Sequence, residues 1–449
     1  MLCHLIQKLL GLTGLLVLLI SLLGASQSYY ITTTGDDNNS GLSEAEAWQT
    51  FSHAVEVVQP GDTVYIKAGL YTDNPMYLYK TSGTRLHPIR FIGYLHVPGD
   101  LDLPNEVYNP HKPATVSLPD AASFPTIDGE FQNNSYSGIE IHQLNYIELS
   151  NLHVTGYQSN ITLYQAHFNQ LDNLIVSKAR DTLVYNGFGL RLTLSNYNTL
   201  NHIYAVSNQG ENISLVSSHY NMLENCQSHG GLPGDDAGLD DGTDYYIVIT
   251  KSHSNTIRNC LAQRHSGIQH GGHGIGIKSK GVDSYDNIIM NSVIRGTSKG
   301  FYVNHQQSYN NLFINDTVYG DPTIANLITR GFIARDGAHD NLFKGCRGDK
   351  LDFGINLYDS PEDGGFGQEE NNNMFAYCTF TETLQSVILF EHSANNNLFE
   401  SLQADGAPRL VTINKSVQGR WENNLLRNSQ LNNVDNIGDL WFNVSSPSP

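Results

Sequence analysis

Residues 274–278 alternate apolar and other residues, and this strand-like segment ends in Lys278 on its non-apolar side. A lysine can remove a carbon-bound proton when its neighbours lower its pKa, and cations nearby can bind carboxylates or sulfates. Polar residues take the matching places in similar segments along the chain: Arg191, Tyr302, Asn304, Arg335, Asn356 and Tyr358. This row predicts a groove that binds a sugar chain with acidic groups. An ordinary polar face is the alternative.

β-Elimination from a uronic acid would use several residues around this row. The reaction needs a base for the C5 proton, positive charge for the carboxylate as it gains enolate character, and a proton donor for the leaving oxygen. We assign Lys278 as the base. The candidate donors are Tyr302, His273 and His305, and Arg295 or a bound Ca²⁺ would stabilise the carboxylate.

Two long intervals between repeats carry candidate metal ligands. The first holds five aspartates among glycines, and clustered carboxylates on a loop suit Ca²⁺, which takes 6–8 oxygen ligands; they are Asp235, Asp236, Asp240, Asp241 and Asp244. A solvated acidic loop is the alternative. The second holds His265, His270 and His273, which either ligate a transition metal or contact substrate. We assign His270 to substrate binding.

An asparagine followed by two apolar residues recurs eleven times, at intervals of 23–34 residues. A repeat in this range is typical of solenoids. The asparagines are Asn145, Asn173, Asn198, Asn221, Asn255, Asn287, Asn311, Asn341, Asn373, Asn397 and Asn424. Short alternating segments, several opened by glycine, precede them and predict strands.

These repeats predict an all-β, single-domain right-handed parallel β-helix over residues 27–444, with about a dozen coils. Coils stacked at about 4.8 Å place each asparagine above the last, so the amides can form a hydrogen-bonded ladder. Four cysteines each follow a repeat asparagine by five residues: Cys226, Cys260, Cys346 and Cys378. This register predicts a buried column of thiols, and a Cys226–Cys260 disulfide is the alternative.

The N-terminal segment predicts export and then a cap for the solenoid. Residues 1–26 combine a lysine, a short apolar run and small residues, as in a secretory signal peptide, with a membrane anchor as the alternative. Ser43 and Glu46 form a capping-box pattern, and the helix that they predict carries Trp48, Phe51, Val55 and Val58 on one face. We expect a secreted or periplasmic protein, without a membrane segment after cleavage, and a disordered tail at residues 445–449.

Charge limits the partners that suit this chain. The formal net charge is −19, which argues against nucleic acid because that partner needs a basic face. An anionic polysaccharide would require local cations or a bound metal to approach such a protein. We expect the partner to be a polysaccharide and the protein to be a monomer.

The opening of the solenoid resembles that of secreted parallel β-helix proteins, among them polysaccharide lyases of the chondroitinase B and alginate lyase kind. The resemblance rests on residues 29–31, 61–65 and 69–71. It implies the fold, and in those lyases a Lys followed by Ser acts as base, which Lys278-Ser279 matches. They carry an Arg-His-Gly on the following coil, where this chain has Val303-Asn304-His305.

A second resemblance covers the same coils. Residues 272–277, Gly-His-Gly-Ile-Gly-Ile, are similar to a strand of polygalacturonase-type hydrolases. Those enzymes need two aspartates one coil earlier, where this chain has Asp244-Tyr245.

Taken together, these features predict a lyase, with a glycoside hydrolase or C5-epimerase as one alternative and a non-catalytic glycan-binding protein as another.

Overall fold

The computed structural model describes residues 26–72, 74–101, 111, 117–130, 136–180, 187–231, 243–265, 271–321, 327–359, 370–391, 393–414 and 421–437. The predicted tail, and the predicted signal segment apart from residue 26, lie outside these ranges. No helix within them is long and apolar enough to cross a membrane.

Within these ranges forty strands, numbered in chain order, form two large sheets and two small ones in which the paired strands are parallel. The long sheet contains β1 (Ser28–Ile31), β2 (Thr63–Lys67), β3 (Gly69–Thr72), β5 (Ile89–Tyr94), β6 (Pro125–Asp128), β8 (Ile147–Thr155), β10 (Gln170–Ser177), β12 (Thr199–Val206), β14 (Met222–Glu224), β15 (Gln227–Gly230), β17 (Thr256–Arg258), β18 (Leu261–Arg264), β21 (Ile288–Met290), β22 (Val293–Arg295), β25 (Leu312–Ile314), β26 (Thr317–Tyr319), β28 (Leu342–Lys344), β29 (Arg347–Asp349), β32 (Met374–Ala376), β33 (Thr379–Thr381), β36 (Leu398–Glu400), β37 (Gln403–Ala407), β39 (Leu425–Arg427) and β40 (Gln430–Val434).

The short sheet has twelve strands, one from each successive coil. They are β4 (Met76–Leu78), β7 (Ser137–His142), β9 (Ser159–Tyr164), β11 (Phe188–Thr193), β13 (Glu211–Val216), β16 (Tyr245–Thr250), β19 (His273–Lys278), β23 (Lys299–Asn304), β27 (Arg330–Arg335), β30 (Phe353–Tyr358), β34 (Ser386–Glu391) and β38 (Val411–Ile413). The small pairs are β20 (Ser284–Tyr285) with β24 (Ser308–Tyr309), and β31 (Glu370–Asn371) with β35 (Ala394–Asn395). The predicted parallel β-helix is confirmed.

The core fills the space between the sheets with columns of similar side chains. Phe313, Phe343, Phe375 and Phe399 stack on successive coils, with ring centroids 4.4, 4.7 and 5.5 Å apart. All four rings are fully buried. Stacking of like on like follows from parallel pairing in register, since residues at one place of each coil lie directly above one another.

The asparagine ladder is present, with a different start from the one predicted. Asn255 shows the repeating unit: its Oδ1 accepts the backbone N–H of Asn221 at 2.9 Å, and its Nδ2 donates to Asn287 Oδ1 at 3.0 Å. The first ladder residue is Asn169, whose N–H donates to Asn198 Oδ1. Asn173 was wrongly aligned, because it lies inside β10 and bonds to Asn151.

Asn145 also lies outside the ladder. It pairs with His167, and the ladder place of its coil is held by Ile147, whose N–H donates to Asn169 Oδ1 at 2.8 Å. Gln170 follows Asn169, whereas the other ladder asparagines are followed by an apolar residue or by a threonine. The pattern therefore matched Asn173 instead.

The four cysteines lie in the predicted buried column as free thiols, and the alternative Cys226–Cys260 disulfide is absent. Between Cys260 and Cys346 the column passes through Ser292 and Asp316. Cys260 N–H donates to Ser292 Oγ at 3.1 Å, and Ser292 N–H donates to Asp316 Oδ1 at 2.8 Å. Small groups therefore fill this corner of the coil.

The N-terminal cap is a shorter helix than the sequence predicts. Helix α1 spans Phe51–Val57, and its N-cap is Thr50, whose Oγ1 accepts the His53 N–H at 3.2 Å. Ser43 precedes only a 3₁₀ turn, Glu44–Glu46, and its side chain makes no capping bond. The predicted apolar residues are buried, with Trp48 just ahead of the helix. The capping-box prediction was wrong because a stronger cap stands seven residues later.

Candidate functional site

The outer surface of the short sheet collects the predicted polar row. Strand register puts the third and fifth residues of each strand in the core, and the first, fourth and sixth on the outside. We call the outer residues of β7 to β34 the polar face. One of its columns runs Lys278, Asn304, Arg335 and Tyr358, and another contains Arg191, Tyr302 and Asn356. The structure thus brings these predicted residues onto one surface.

A connected cluster lies near the middle of the polar face. His273 Nδ1 lies 3.0 Å from Asp244 Oδ1, and its Nε2 contacts the ammonium group of Lys299 on the next strand. The Tyr245 ring stacks on His273 at 4.6 Å. Lys278 donates from Nζ to the Tyr245 hydroxyl at 2.8 Å. Three adjacent coils therefore supply a carboxylate, an imidazole, two amines and a phenol, each in contact with at least one other member of the cluster.

Burial and neighbouring cations lower the pKa of Lys299 and so increase the fraction of its amine that is neutral. Desolvation, together with the charges of Arg335, Arg330 and Lys278, lowers its pKa to about 8, although Asp244 opposes this effect. Burial also lowers the pKa of His273. A neutral His273 that donates from Nδ1 to Asp244 presents a lone pair at Nε2 to Lys299. The Asp244–His273 pair can thus hold the Lys299 side chain in place.

Two arginines extend the cluster on β27. Arg335 donates from Nε to Asp336 Oδ2 at 2.7 Å and from Nη1 to the Tyr358 hydroxyl at 3.0 Å. Arg330 lies 4.0 Å from Glu391 and 5.9 Å from the centre of the Tyr358 ring. The guanidinium groups are thereby positioned beside Lys299, where they can bind a carboxylate in a planar, two-point manner.

Other predicted residues lie farther from this cluster or deeper in the protein. His305 follows β23 and is buried, with Nδ1 3.8 Å from Asp336 Oδ2. Asn356 is fully buried, and its Nδ2 donates to Glu391. Arg191 stacks over Phe188 at 4.1 Å, on the N-terminal part of the face. Arg295 is not brought to the polar face, since it belongs to the long sheet and packs over Tyr319.

Most of the proposed calcium ligands fall outside the described residues, namely Asp235, Asp236, Asp240 and Asp241, as does His270. Asp244 is described and contacts His273. Within the described ranges, no group of three or more His, Cys, Asp or Glu side chains is arranged to hold a metal ion. Calcium binding stays a prediction from the sequence.

Sequence reasoning missed Lys299, Tyr245 and Glu211, all of which lie in the first outward column of the polar face. A signal for this column exists. The residue of this column comes directly before the glycine that opens an alternating segment, as at His273, Lys299 and Arg330. The prediction counted outward places only after each glycine, so it omitted the residue before it.

The comparisons with known proteins fit this architecture. The model of the family described as "Pel9A-like, right handed beta helix region" matches residues 29–341. Among solved structures, pectate lyase Pel9A is 16% identical with a TM-score of 0.44, and the match covers 69% of this chain and 76% of that one. No curated protein matches the chain.

Two further solved structures align over most of the chain. Tailspike protein 3 of bacteriophage CBA120 is 10% identical with a TM-score of 0.55, covering 94% of this chain and 62% of that one. The catalytic domain of a GH87 α-1,3-glucanase is 12% identical with a TM-score of 0.51, covering 84% and 64%. These likenesses establish the fold, and the match to the family model shows that the chain belongs to the Pel9A-like right-handed β-helix family.

Proposed function

We propose that this protein is a polysaccharide lyase that cleaves a uronic-acid-containing chain by β-elimination. The observation that carries the proposal is the contact of Lys299 with His273, on a surface that also presents Lys278, Arg330 and Arg335. This surface pairs a candidate base with positive charge for a carboxylate, as the reaction requires. The family takes its name from Pel9A, a pectate lyase, which supports the same assignment.

In the proposed reaction Arg330 and Arg335 bind the uronate carboxylate and stabilise the charge that it gains as the C5–H bond breaks. Neutral Lys299 takes the C5 proton. The electron pair of that bond forms the C4–C5 double bond, and the C4–O bond breaks with its electrons leaving on oxygen. Lys278, hydrogen-bonded to Tyr245, supplies the proton to this oxygen. One product carries an unsaturated uronate at its new non-reducing end. The other product carries a new reducing end.

This assignment shifts the base from Lys278 to Lys299. Lys278 donates to a phenol, whereas Lys299 contacts an imidazole acceptor and has a pKa lowered to about 8. Tyr302 and His305 stay alternative donors. Export through residues 1–26, action as a monomer, and a calcium ion at residues 235–244 also belong to the proposal, on sequence grounds alone.

The test is an incubation of residues 29–449 with alginate, pectate, chondroitin sulfate, dermatan sulfate and ulvan, with and without Ca²⁺. Ultraviolet absorbance detects the C4–C5 double bond, and reducing ends are counted in parallel. We expect absorbance on at least one polymer, lost in Lys299→Met and retained in Lys344→Met, whose side chain is exposed on the long sheet. If Lys299→Met still produced the absorbance and Lys278→Met did not, the base would be Lys278.

Glycoside hydrolysis is a second candidate, favoured by one carboxyl pair. Glu211 opens β13 and Asp244 directly precedes β16 on the next coil, and burial raises the pKa of Glu211. A protonated carboxyl beside an ionised one is the acid–base pair of many glycosidases. Reducing ends that appear without absorbance, and that disappear in Glu211→Gln, would establish hydrolysis in place of elimination.

A further inference from the structure

A second column of side chains runs beside the asparagine ladder, two residues before it on each coil. We call it the mixed column, and its members on successive coils are Asn145, His167, Asn196, His219 and His253. Each of the first four accepts the backbone N–H of the next. The Oδ1 atoms of Asn145 and Asn196 do so at 2.9 and 2.7 Å. The Nδ1 atoms of His167 and His219 do so at 3.0 and 3.1 Å. Histidine and asparagine therefore make the same bond at alternate places.

The two kinds of acceptor differ in their response to acid. A ring nitrogen accepts a hydrogen bond only while it carries a lone pair, so His167 and His219 must be neutral, with the ring proton on Nε2. Protonation at Nδ1 would place a ring N–H against a backbone N–H at a corner where both histidines are half-buried, and that bond would be lost. The amide oxygen of asparagine does not titrate. The mixed column thus contains two bonds that acid can break and two that it cannot.

The surroundings of the mixed column disfavour a charge on these rings. Burial lowers the pKa of His167. It also lowers the pKa of His219, and the charge of His253, whose ring stacks on that of His219 at 3.9 Å, lowers it further. Neither shift is opposed by an acid in the described part of the chain. Three further titratable groups act on or contact His253: Asp286, which raises the pKa of that histidine, and the rings of Tyr220 and Tyr285.

The direction of the pH effect follows from these shifts. The folded-state pKa values of His167 and His219 lie below the unfolded value of about 6.5. The unfolded chain therefore takes up protons first as the pH falls. The stability that these two bonds provide is complete above about pH 6.5 and is lost progressively below it, down to the folded-state pKa values.

We propose that the mixed column is an acid-sensitive contact between coils, which holds β9 to β16 in place at neutral pH and opens reversibly in mildly acidic solution. The column lies at the corner that follows β9, β11, β13 and β16. His253 follows the end of β16 by three residues, and β16 begins with Tyr245, the partner of Lys278. Opening would therefore disturb the polar face independently of the protonation of Lys299. The inference does not depend on the reaction proposed for that face.

The first test compares hydrogen exchange at single backbone amides of the wild-type protein at pH 7.5 and pH 5.0. The amides of Asn196 and His253 donate to histidine, whereas those of His167 and His219 donate to asparagine. We expect protection, corrected for the intrinsic effect of pH on exchange, to fall about threefold or more at the first pair and less than about twofold at the second. A return to pH 7.5 should restore it. Equal changes at all four amides, or no change at any, would overturn the proposal.

The second test replaces the titrating acceptors by the residue that already fills the same place on neighbouring coils. The double variant His167→Asn with His219→Asn keeps both bonds and loses the ring contact with His253, so its melting temperature should be lower than that of the wild type at both pH values. We expect the drop in melting temperature between pH 7.5 and pH 5.0 to shrink by about half or more. His87→Asn, at an exposed side chain outside the column, should leave that drop unchanged.

A drop of wild-type size in the double variant would refute the proposal, whatever its stability at neutral pH. Should the double variant fail to fold, the four amides of the wild type still decide the question, because each histidine-bonded amide has an asparagine-bonded one in the same column as its control.

Discussion

The sharpest test of the site is Lys299→Arg, which keeps the positive charge and removes the base. An amine with a pKa of about 8 is roughly one-tenth neutral at pH 7, against about 0.04% for a lysine at its ordinary value near 10.4. The environment of Lys299 thus increases the neutral amine by roughly 200-fold. Arginine remains protonated throughout, so it cannot accept the C5 proton. We expect kcat to fall by roughly 10²–10⁴-fold, the usual contribution of a general base.

The assay is the initial rate of ultraviolet absorbance on the best polymer, as a function of substrate concentration and pH. For the wild type, kcat/KM should rise with pH, reach half its maximum near pH 8 and level off above about pH 9, because the neutral form of Lys299 is the active one. KM of Lys299→Arg should stay within about threefold of the wild-type value, since the charge that contacts the polymer is retained. A variant that keeps a third or more of kcat, or a wild-type profile that is flat across pH 7–9, would refute the assignment.

Three further predictions follow from neighbouring contacts. In Arg335→Gln the pKa of Lys299 should rise, because Arg335 is the strongest of the cations that lower it, and the rising limb of kcat/KM should move to higher pH. Asn255→Ala should lower the free energy of unfolding in urea by about 3–5 kcal/mol, since several buried groups lose partners, while Thr256→Ala on the outer surface should cost less than about 1 kcal/mol. The four buried thiols should not react with a thiol reagent until the protein unfolds, and a reductant should leave the melting temperature unchanged; a drop on reduction would reveal a disulfide.

Spacing alone was sufficient to predict the solenoid. Parallel pairing in register repeats the same environment at each coil, so Asn221 and Cys226 recur as a pair at a fixed offset. The start of the ladder could not be found this way. Asn169 is followed by a glutamine, whereas an apolar residue or a threonine follows the other ladder asparagines, and Asn173 matches the pattern from a place inside β10. Local sequence cannot separate these two, because hydrogen bonds to the next coil decide which of them is the ladder residue.

The sequence was sufficient to predict which residues share the outer surface of the candidate site, but not which of their side chains touch. Alternation placed Lys278, Asn304 and Arg335 on one surface, and the structure confirms that placement. The contact of His273 with Lys299 depends on which residues pair across strands, since the two are 26 positions apart in the chain. The lowered pKa of Lys299 likewise arises from burial and from cations on two other strands, β19 and β27, which no single segment encodes.

The asparagine ladder also fixes the register of each coil on the next. Each rung fixes one asparagine above the next, so a residue inserted between a rung and the strand after it would turn every following side chain to the opposite surface. Added length is tolerated only in the loops, which is where the intervals of 34 and 32 residues occur. Addition of a whole coil, in contrast, would leave the register intact and extend the polar face by one step of about 4.8 Å. A protein of this kind can therefore lengthen its sugar-binding surface by duplication, one coil at a time, without disturbing the cluster around Lys299.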